Sequence, residues 1–556
     1  MVCDVSEPQR RHRQGPVDAG NVKGEKMDHN DVTRQRVVHR VLQDKAALLG
    51  NREFFRFQGE SFGYGDLDRA SNRVAAGLQT LGIGKGDRAA IIMGNRPEYL
   101  FLWFGLSKLG AIEVPVNTAH RGDLLVYMLG QSGSRVVVVE DVFLDRLAPV
   151  LGHLPDLEKV IVLGDGDAPP LDKPAMTYSE MVDNLGRYTP PEVFWNDPFA
   201  IIYTSGTTGP SKGSVMPHNY ALFMGEICMS AAGYDHNDRL YNALPLFHGN
   251  AQFLSTMPAL MSGASMVLAP RFSASRFWED VKKNECTEFN YIGGILQILH
   301  KAEPRPDDAD NPLRVMFGAG APPDLYPPFE KRFGVRLIEG YGMSEIGVPM
   351  LNTVKERKIG SCGKLLPDYE VKLVDDAGLP VPTGQPGECL LRTRKPHCLL
   401  LEYHDMPAQT VAAWRDLWFH TGDYLRQDDD GCFHFVDRKK DAIRRRGENI
   451  SSFEVEKGVR THDAVLECAA VAVKSPMGED EVMVCLTLKP GKKLSPEALI
   501  AHCSQEMAYF MVPRYLRFME ALPKTPTERV KKVLLREQGV TEETWDREKA
   551  GYKLEK

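Results

Sequence analysis

The sequence predicts an α/β fold with a large N-terminal domain of helix-covered, mostly parallel sheets, a small β subdomain and a small α+β C-terminal domain. A chain of 556 residues is too long for one hydrophobic core, so its length favours roughly three or four domains or subdomains. Helix and strand patterns alternate with short turns in the first part of the chain, which is typical of parallel sheets covered by helices. The pattern changes after about residue 365 and again after residue 437.

The first predicted helix, over residues 66–81, begins this alternation. Its apolar residues, among them Leu67, Val74 and Leu78, recur three and four positions apart, which is the spacing of an amphipathic helix. Three glycines follow, and the apolar run 89–93 then predicts a buried strand. The same two patterns continue as helix 98–109, strand 112–116, helix 124–131 and strand 136–140.

The two changes of pattern define the predicted domains. The large domain spans 27–437, and within it two strands around a turn-rich segment predict the β subdomain at about 365–437. The C-terminal domain spans 438–556. Its predicted elements are helix 454–460, strands 465–473 and 481–488, and helix 496–507. Residues 1–26 are polar and lack the apolar core of a secretory signal, so they are interpreted as a disordered extension.

Composition excludes several classes of function. The net charge of −7 gives no reason to expect nucleic-acid binding, and no apolar run reaches the ~18 residues of a membrane span. The ten cysteines form no CxxC motif and no cluster with histidine, so neither a disulfide framework nor a structural zinc site is expected. The sequence therefore predicts a cytoplasmic protein.

The run YTSGTTGPSKG, residues 203–213, carries the strongest chemical signal. Its glycines allow backbone N–H groups to approach an anion, its hydroxyls add donors and its lysine adds charge, so the run predicts a loop that wraps a polyphosphate. It is not a Walker A loop, because serine precedes the lysine and glycine follows it. The alternative is an ordinary surface turn. The predicted contacts are Thr204, Ser205, Gly206, Thr207, Thr208, Gly209 and Lys212.

Two later motifs suit a nucleotide. Gly318, Ala319 and Gly320 follow an apolar segment and would let a flat ring lie on the backbone, although a helix-start turn is the alternative. In the run 340–345, Tyr341 offers a ring for stacking and Glu345 offers a hard oxygen ligand for Mg²⁺ beside a phosphate. A helix N-cap at Ser344 is the alternative for this run.

A carboxylate and an arginine complete the set of motifs. Asp423 lies on a predicted turn after an apolar pair, where an exposed carboxylate would accept from both hydroxyls of a ribose. Arg438 begins a basic stretch and would reach ribose or phosphate. The alternatives are an ordinary turn and a solvated run of charges.

The run 203–213 closely resembles the signature loop of the adenylate-forming, or AMP-binding, enzymes, which include acyl-CoA synthetases, amino-acid adenylation domains and luciferases. Five motifs occur in the order of that family, from about residue 50 to residue 540. The resemblance implies that the protein makes an acyl-adenylate from a carboxylate and ATP, releases pyrophosphate and then transfers the acyl group to a thiol. It also implies that the small C-terminal domain is mobile and rotates between the two steps about Lys440.

The resemblance assigns roles residue by residue. Thr204 to Lys212 would hold the pyrophosphate side, Glu345 the Mg²⁺, and Asp423 and Arg438 the ribose. The run Pro245–Gly249 resembles the family's acyl-gate segment, so His248 would stand at the acyl and thiol tunnel. Residues 291–295, among them Tyr291 and Gly293, are expected to line that tunnel. Adenine and its neighbouring phosphate would contact Gly318, Ala319, Gly320, Gly340, Tyr341, Gly342, Met343 and Ser344.

The sequence departs from the family near its C-terminus. The family usually carries Thr-Gly-Lys there, whose lysine bridges the carboxylate and the α-phosphate, whereas this chain places Glu528 and Arg529 at the last two positions. Arg529 is predicted to take the place of the lysine, since arginine can neutralise two anions, although the two side chains are not interchangeable. Lys531 and Lys532 are the alternatives.

The function implied by the resemblance is an ATP-dependent carboxylate:CoA ligase that uses ATP, Mg²⁺ and coenzyme A. Residues 437–456 resemble synthetases acting on carnitine, crotonobetaine and short to medium fatty acids, so a short- or medium-chain or carnitine-like acid is expected. A catalytically impaired nucleotide-binding regulator and a stand-alone adenylation enzyme with another acceptor are the alternatives. The oligomeric state stays open, with a homodimer among the options.

Overall fold

The computed structural model describes residues 33, 35–183, 188–204, 211–439, 443–445, 448–450, 452–474, 480–507, 511–524 and 529–554. In this part of the chain the predicted α/β fold is confirmed: two sheets with their helices form the large N-terminal part, and a small α+β domain follows. None of the described helices is long and apolar enough to cross a lipid bilayer.

Residues 66–140 alternate between helices and strands as predicted, and further elements extend from residue 38 to residue 217. The predicted helix 66–81 is observed as Tyr64–Thr80, and the predicted strand 136–140 has the predicted bounds. The strands are β1 Glu53–Phe57, β2 Glu60–Gly63, β3 Arg88–Ile92, β4 Ile112–Pro115, β5 Val136–Glu140, β6 Lys159–Leu163, β7 Ala175–Thr177, β8 Pro198–Thr204 and β9 Lys212–Pro217. The helices are α1 Val38–Leu49, α2 Tyr64–Thr80, α3 Pro97–Leu109, α4 Gly122–Gln131, α5 Leu144–Leu147 and α6 Tyr178–Asp183, with 3₁₀ turns at Asp141–Phe143 and Ala148–His153.

The first sheet has the strand order β7-β6-β5-β3-β4-β8-β9. All of its neighbouring strands are parallel except the hairpin β8–β9. The interior strand β5 carries four consecutive valines that are all buried, as expected for a parallel strand covered on both faces. The antiparallel hairpin at the edge carries the predicted phosphate loop.

Residues 218–351 supply most of the second sheet. A π-helix, Asn250–Thr256, follows the run Pro245–Gly249 and precedes the helix that begins at Met257. The strands are β10 Arg239–Asn242, β11 Ser265–Leu268, β12 Glu288–Ile292, β13 Val315–Ala319, β14 Arg336–Met343 and β15 Gly347–Leu351. The helices are α7 His218–Ala232, α8 Met257–Ser262, α9 Phe277–Lys283, α10 Gly293–Lys301 and α11 Tyr326–Phe333, with a 3₁₀ turn at Pro323–Leu325.

The parallel part of this sheet has the order β14-β13-β12-β10-β11-β1. Because the carboxyl ends of parallel strands meet at one edge of a sheet, the motifs that follow β12, β13 and β14 are brought together there. This is the edge at which open α/β sheets generally bind ligands.

The predicted β subdomain continues this second sheet instead of forming a sheet of its own. The first half of β14 pairs in parallel with β13, and its second half, from Gly340, pairs in antiparallel with β15. The change of partner requires small residues, since a Cβ on Gly342 would lie 2.2 Å from the carbonyl oxygen of Gly347. The remaining elements are β16 Gly363–Leu365, β17 Tyr369–Val374, β18 Gly387–Thr393, β19 Trp414–Arg415, β20 Trp418–Gln427, β21 Cys432–Arg438 and α12 Pro407–Ala413.

The C-terminal part is a compact α+β unit, as predicted. The predicted helix 496–507 is observed as Pro496–Glu506, and the Ser495 hydroxyl accepts a hydrogen bond from the Ala498 N–H at 3.2 Å, which caps the helix. The predicted pivot, Lys440, lies outside the described residues. The elements are β22 Ile443–Arg445, β23 Glu448–Ile450, α13 Ser452–Arg460, β24 Val465–Lys474, β25 Asp480–Leu488, α14 Pro496–Glu506, β26 Tyr515–Phe518, α15 Lys532–Gln538 and β27 Trp545–Asp546.

A fully buried carboxyl group lies in the core of the large domain. Glu113, on β4, accepts hydrogen bonds from the Tyr99 hydroxyl at 2.8 Å and from the Gln252 amide at 2.9 and 3.1 Å. Burial raises the pKa of Glu113 from near 4.5 to about 8, although both hydrogen bonds oppose this shift. Gln252 belongs to the π-helix, so this cluster ties the first sheet to the acyl-gate segment.

We expect Glu113→Gln to stabilise the protein increasingly as pH rises. The folded pKa lies above the unfolded one, so wild-type stability falls between about pH 4.5 and pH 8, by on the order of 5 kcal/mol, while a glutamine never ionises. Denaturant unfolding at pH 5 and pH 9 measures this, with exposed Glu60→Gln as the control. An advantage of Glu113→Gln that is the same at both pH values would contradict the expectation.

Candidate active site

The β8–β9 hairpin positions the two ends of the predicted phosphate loop. Thr204 and Lys212 are cross-strand partners. The Tyr127 hydroxyl on α4 donates to the Ser211 carbonyl at 2.8 Å, which anchors the second end of the loop to that helix. The predicted contacts Ser205, Gly206, Thr207, Thr208 and Gly209 lie outside the described residues and stay predictions.

Glu345 lies next to this hairpin, on the turn between β14 and β15. The side chain is 4% exposed, and its Oε1 accepts hydrogen bonds from the Tyr403 hydroxyl at 3.1 Å and the Thr204 hydroxyl at 3.4 Å. Burial raises its pKa, while hydrogen bonds and the positive charges of Arg438 and Lys212 oppose the shift. The helix N-cap predicted as the alternative for this run is wrong, because Ser344 precedes a strand.

The second carboxylate oxygen of Glu345 fits a metal ligand. Oε2 is buried and has no hydrogen-bond partner among the described residues, which is unfavourable for a carboxylate unless a cation binds there. No group of three or more histidine, cysteine, aspartate or glutamate side chains in the described part of the chain could hold a metal. Magnesium would therefore take its other ligands from phosphate oxygens and water, as it commonly does.

The two residues that are predicted to hold a ribose lie next to each other, and Tyr341 contacts one of them. Asp423 and Arg438 are cross-strand partners on β20 and β21, and Arg438 Nε lies 3.1 Å from Asp423 Oδ1. The Tyr341 hydroxyl donates to Asp423 Oδ2 at 2.8 Å. The expectation of an exposed turn at Asp423 is wrong: the residue lies within a strand and is 2% exposed, because Tyr341 and Arg438 cover it.

The small residues at the ends of β12 and β13 are needed for packing. A Cβ on Gly318 would lie 2.3 Å from the Tyr291 carbonyl oxygen, and a Cβ on Gly293 would lie 1.9 Å from the Gly320 carbonyl oxygen. Gly320 also adopts a left-handed conformation, with φ of 81°. These contacts explain the glycines without a ligand, so the adenine contacts of Gly318, Ala319 and Gly320 stay predictions.

The predicted tunnel-lining role of Tyr291 is not supported. Its side chain is completely buried, and its hydroxyl donates to the Ile338 carbonyl at 3.4 Å, so the ring belongs to the core. Ile292, which belongs to the same predicted run, is 53% exposed at the carboxyl end of the strand and stays a candidate for contact with an acyl group. Side chains alternate between the two faces of a strand, which explains why these neighbours differ in exposure.

His248 and Arg529 come from different parts of the chain and lie close enough to interact electrostatically. Burial, with the positive charge of nearby Arg529 and the neighbouring His120, lowers the pKa of His248 to about 4, so this imidazole is neutral near pH 7. Removal from water and the charge of Arg438 lower the pKa of Arg529, and Asp423 opposes this shift. Taken as a whole residue, Arg529 nevertheless keeps solvent exposure.

The alternative cation Lys532 is engaged elsewhere. Its Nζ lies 2.5 Å from the Ser452 hydroxyl and 2.7 Å from Glu456 Oε1, both within the C-terminal domain. Arg529, by contrast, interacts electrostatically with His248 and Asp423 of the large domain and with Arg438. These contacts across the domains favour Arg529 over Lys532 as the terminal cation.

Sequence reasoning missed Tyr403. Its hydroxyl contacts Glu345, 58 residues away, and Lys212 Nζ lies 4.6 Å from the centre of its ring. A single tyrosine in a loop before α12 carries no local pattern that would indicate these contacts.

Comparison with known proteins identifies the family of this chain. The family described as AMP-binding enzyme matches residues 42–403, and the AMP-binding enzyme C-terminal domain matches residues 454–529. The chain is 30% identical over 507 residues to crotonobetaine/carnitine–CoA ligase of Salmonella paratyphi A (strain ATCC 9150 / SARB42), covering 89% of this chain and 98% of that protein. It is 32% identical over 501 residues to crotonobetaine/carnitine–CoA ligase of Proteus mirabilis (strain HI4320), covering 88% and 95%.

Solved structures share the fold. An anthranilate CoA ligase in complex with anthranoyl-AMP has a TM-score of 0.82 and 26% identity, covering 92% of this chain and 99% of that chain. A Mycobacterium tuberculosis fatty acyl CoA synthetase has a TM-score of 0.68 and 26% identity, covering 91% and 99%. The chain therefore belongs to the AMP-binding enzyme family, within its AMP-forming acid–thiol ligases, whose reaction proceeds through an acyl-adenylate and uses ATP, Mg²⁺ and CoA.

Proposed function

We propose that this protein converts a short- or medium-chain carboxylic acid, or a carnitine-like acid, into its CoA thioester through an acyl-adenylate. The observation that carries the chemical part is that Glu345, Thr204 and Lys212 lie close together, and that Arg438, paired with Asp423, interacts electrostatically with both Glu345 and Arg529. A carboxylate is a poor electrophile, and adenylation supplies a leaving group. The protein must bring two anions together and offset their repulsion.

Each group has a role in the first step. Lys212 and the Thr204 hydroxyl hold the pyrophosphate side of ATP, and Asp423 with Arg438 holds the ribose. Arg529 lies between the substrate carboxylate and the α-phosphate, where its charge offsets their repulsion and favours in-line attack. Mg²⁺ bound at Glu345 would neutralise charge on the phosphates.

The second step needs a path for the thiol of CoA. Arg529 would obstruct that path, so the C-terminal domain must move between the steps, with Lys440 as the proposed pivot. His248 stays in the large domain at the acyl gate. Since its pKa is about 4, it acts there as a neutral hydrogen-bonding group that adds no charge beside the acyl chain.

The acyl group is proposed from the relatives, whose names include crotonobetaine and carnitine. A quaternary ammonium group is generally recognised by aromatic faces. Three aromatic residues of this region are occupied by packing: Tyr241 lies against Phe289, Trp278 stacks on Phe333 at 4.4 Å and Tyr291 is buried. These three residues do not form an aromatic cage for a quaternary ammonium group. Short- and medium-chain fatty acids are therefore tested alongside the carnitine-like acids.

CoA-dependent AMP release with a panel of acids tests the substrate. We expect carnitine, crotonobetaine or C4–C10 fatty acids to give a kcat/KM at least tenfold above that of palmitate or benzoate, because a pocket matched in length excludes larger groups. Omission of CoA should leave ATP–pyrophosphate exchange in place. A clear preference for long-chain or aromatic acids would refute this substrate class, and absence of exchange with every acid would favour the nucleotide-binding regulator.

A further inference from the structure

Tyr403 lies between two groups of the phosphate site that come from different parts of the chain. Its side chain is 4% exposed. On one side its hydroxyl donates to Glu345 Oε1 at 3.1 Å, and on the other its ring faces the Lys212 ammonium at 4.6 Å, which is a cation–π distance. One tyrosine therefore contacts both the proposed metal ligand and the proposed pyrophosphate-binding lysine.

The backbone fixes Tyr403 independently of these two contacts. The segment 401–404 runs beside β9, with the Leu401 N–H donating to the Val215 carbonyl at 2.8 Å and the His404 N–H donating to the Gly213 carbonyl at 2.8 Å. The Tyr403 N–H donates to the Thr410 hydroxyl at 2.9 Å. The backbone at Tyr403 is thus held from the side of β9 and by Thr410 of α12.

The hydrogen bond determines which oxygen of Glu345 remains available. Oε1 is used by Tyr403 and Thr204, whereas Oε2 is buried and has no partner in the described residues. A carboxylate held at one oxygen cannot rotate freely, so its second oxygen keeps a constant direction.

We infer that Tyr403 is a positioning residue that orients the Glu345 carboxylate for Mg²⁺ through its hydroxyl and holds the Lys212 ammonium for the phosphates through its ring. This inference rests on the proposed function. It predicts that the two contributions can be separated, because phenylalanine keeps the ring and removes the hydroxyl, while leucine removes both.

Equilibrium binding of ATP, measured by calorimetry without any carboxylic acid, tests the inference. In Mg²⁺, we expect Tyr403→Phe to weaken binding about tenfold, since a hydrogen bond to a charged group is lost. In EDTA the same variant should bind ATP as the wild type does. Tyr403→Leu should weaken binding in both conditions, with a loss of roughly threefold in EDTA from the missing ring face.

A matched variant controls for the loss of a buried hydroxyl. Tyr64 is also buried, and its hydroxyl donates to the Ala264 carbonyl at 2.5 Å. This hydrogen bond involves no residue of the phosphate site, so Tyr64→Phe should bind ATP like the wild type in both conditions. Thermal unfolding midpoints of all variants establish that they fold. Equal weakening by Tyr403→Phe in Mg²⁺ and in EDTA, or no weakening in either, would overturn the inference. Wild-type binding that does not respond to Mg²⁺ would overturn the metal role of Glu345 and the inference with it.

Discussion

Glu345→Gln should reduce carboxylate-dependent ATP–pyrophosphate exchange by on the order of a hundredfold or more, as the loss of one catalytic electrostatic contact often does. The amide keeps the hydrogen bond from Tyr403 but loses the negative charge that a divalent cation requires. The exchange assay isolates the adenylation step, because it needs only the acid, ATP and Mg²⁺. Raising the Mg²⁺ concentration should restore part of the rate.

The matched control is Glu288→Gln. Glu288 is also a fully buried glutamate of the large domain, but it lies at the amino end of β12, away from the edge at which the motifs meet. The Glu288→Gln variant should change the free energy of unfolding without changing the response of the exchange rate to Mg²⁺. An unchanged exchange rate in Glu345→Gln would reject Glu345 as the metal ligand.

Arg529→Ala should slow adenylation by about a hundredfold while leaving thioester formation from supplied acyl-adenylate nearly unchanged. The first step requires a cation between two anions, and the second step requires the same group to withdraw. Pyrophosphate exchange measures the first step, and CoA-dependent release of AMP from the supplied acyl-adenylate measures the second. Arg529→Lys should recover much of the rate, since the charge is kept, although the planar guanidinium is not.

The neighbouring lysines provide the controls for this prediction. Lys532→Ala removes the contacts to Ser452 and Glu456 and should lower the stability of the C-terminal domain, which affects both steps together. Lys531→Ala should have little effect on either. If one of these variants lost only adenylation, the assignment of the terminal cation would move to that lysine.

Local patterns were sufficient for the secondary structure and for the family. Periodic apolar residues identified α2 and β5 within two residues of their observed bounds, because the spacing of side chains in helices and strands follows from backbone geometry alone. Residues that are adjacent in sequence, such as those near Glu345, form a motif that identifies a family without any knowledge of tertiary contacts. The continuity of the β subdomain with the second sheet was not recognised, since a strand that changes partners halfway has no periodic signature.

The sequence by itself determined the α/β fold class, the order of the motifs and the family of this protein, because these depend on residues that are neighbours in the chain. Only the tertiary structure decided that Asp423 is covered, that Tyr291 belongs to the core, that Lys532 is engaged within its own domain and that Tyr403 contacts Glu345. The physical reason is the same in each case. Burial and hydrogen bonding arise between segments that are tens of residues apart, and their energies depend on which surfaces the packed sheets bring within a few ångströms of each other.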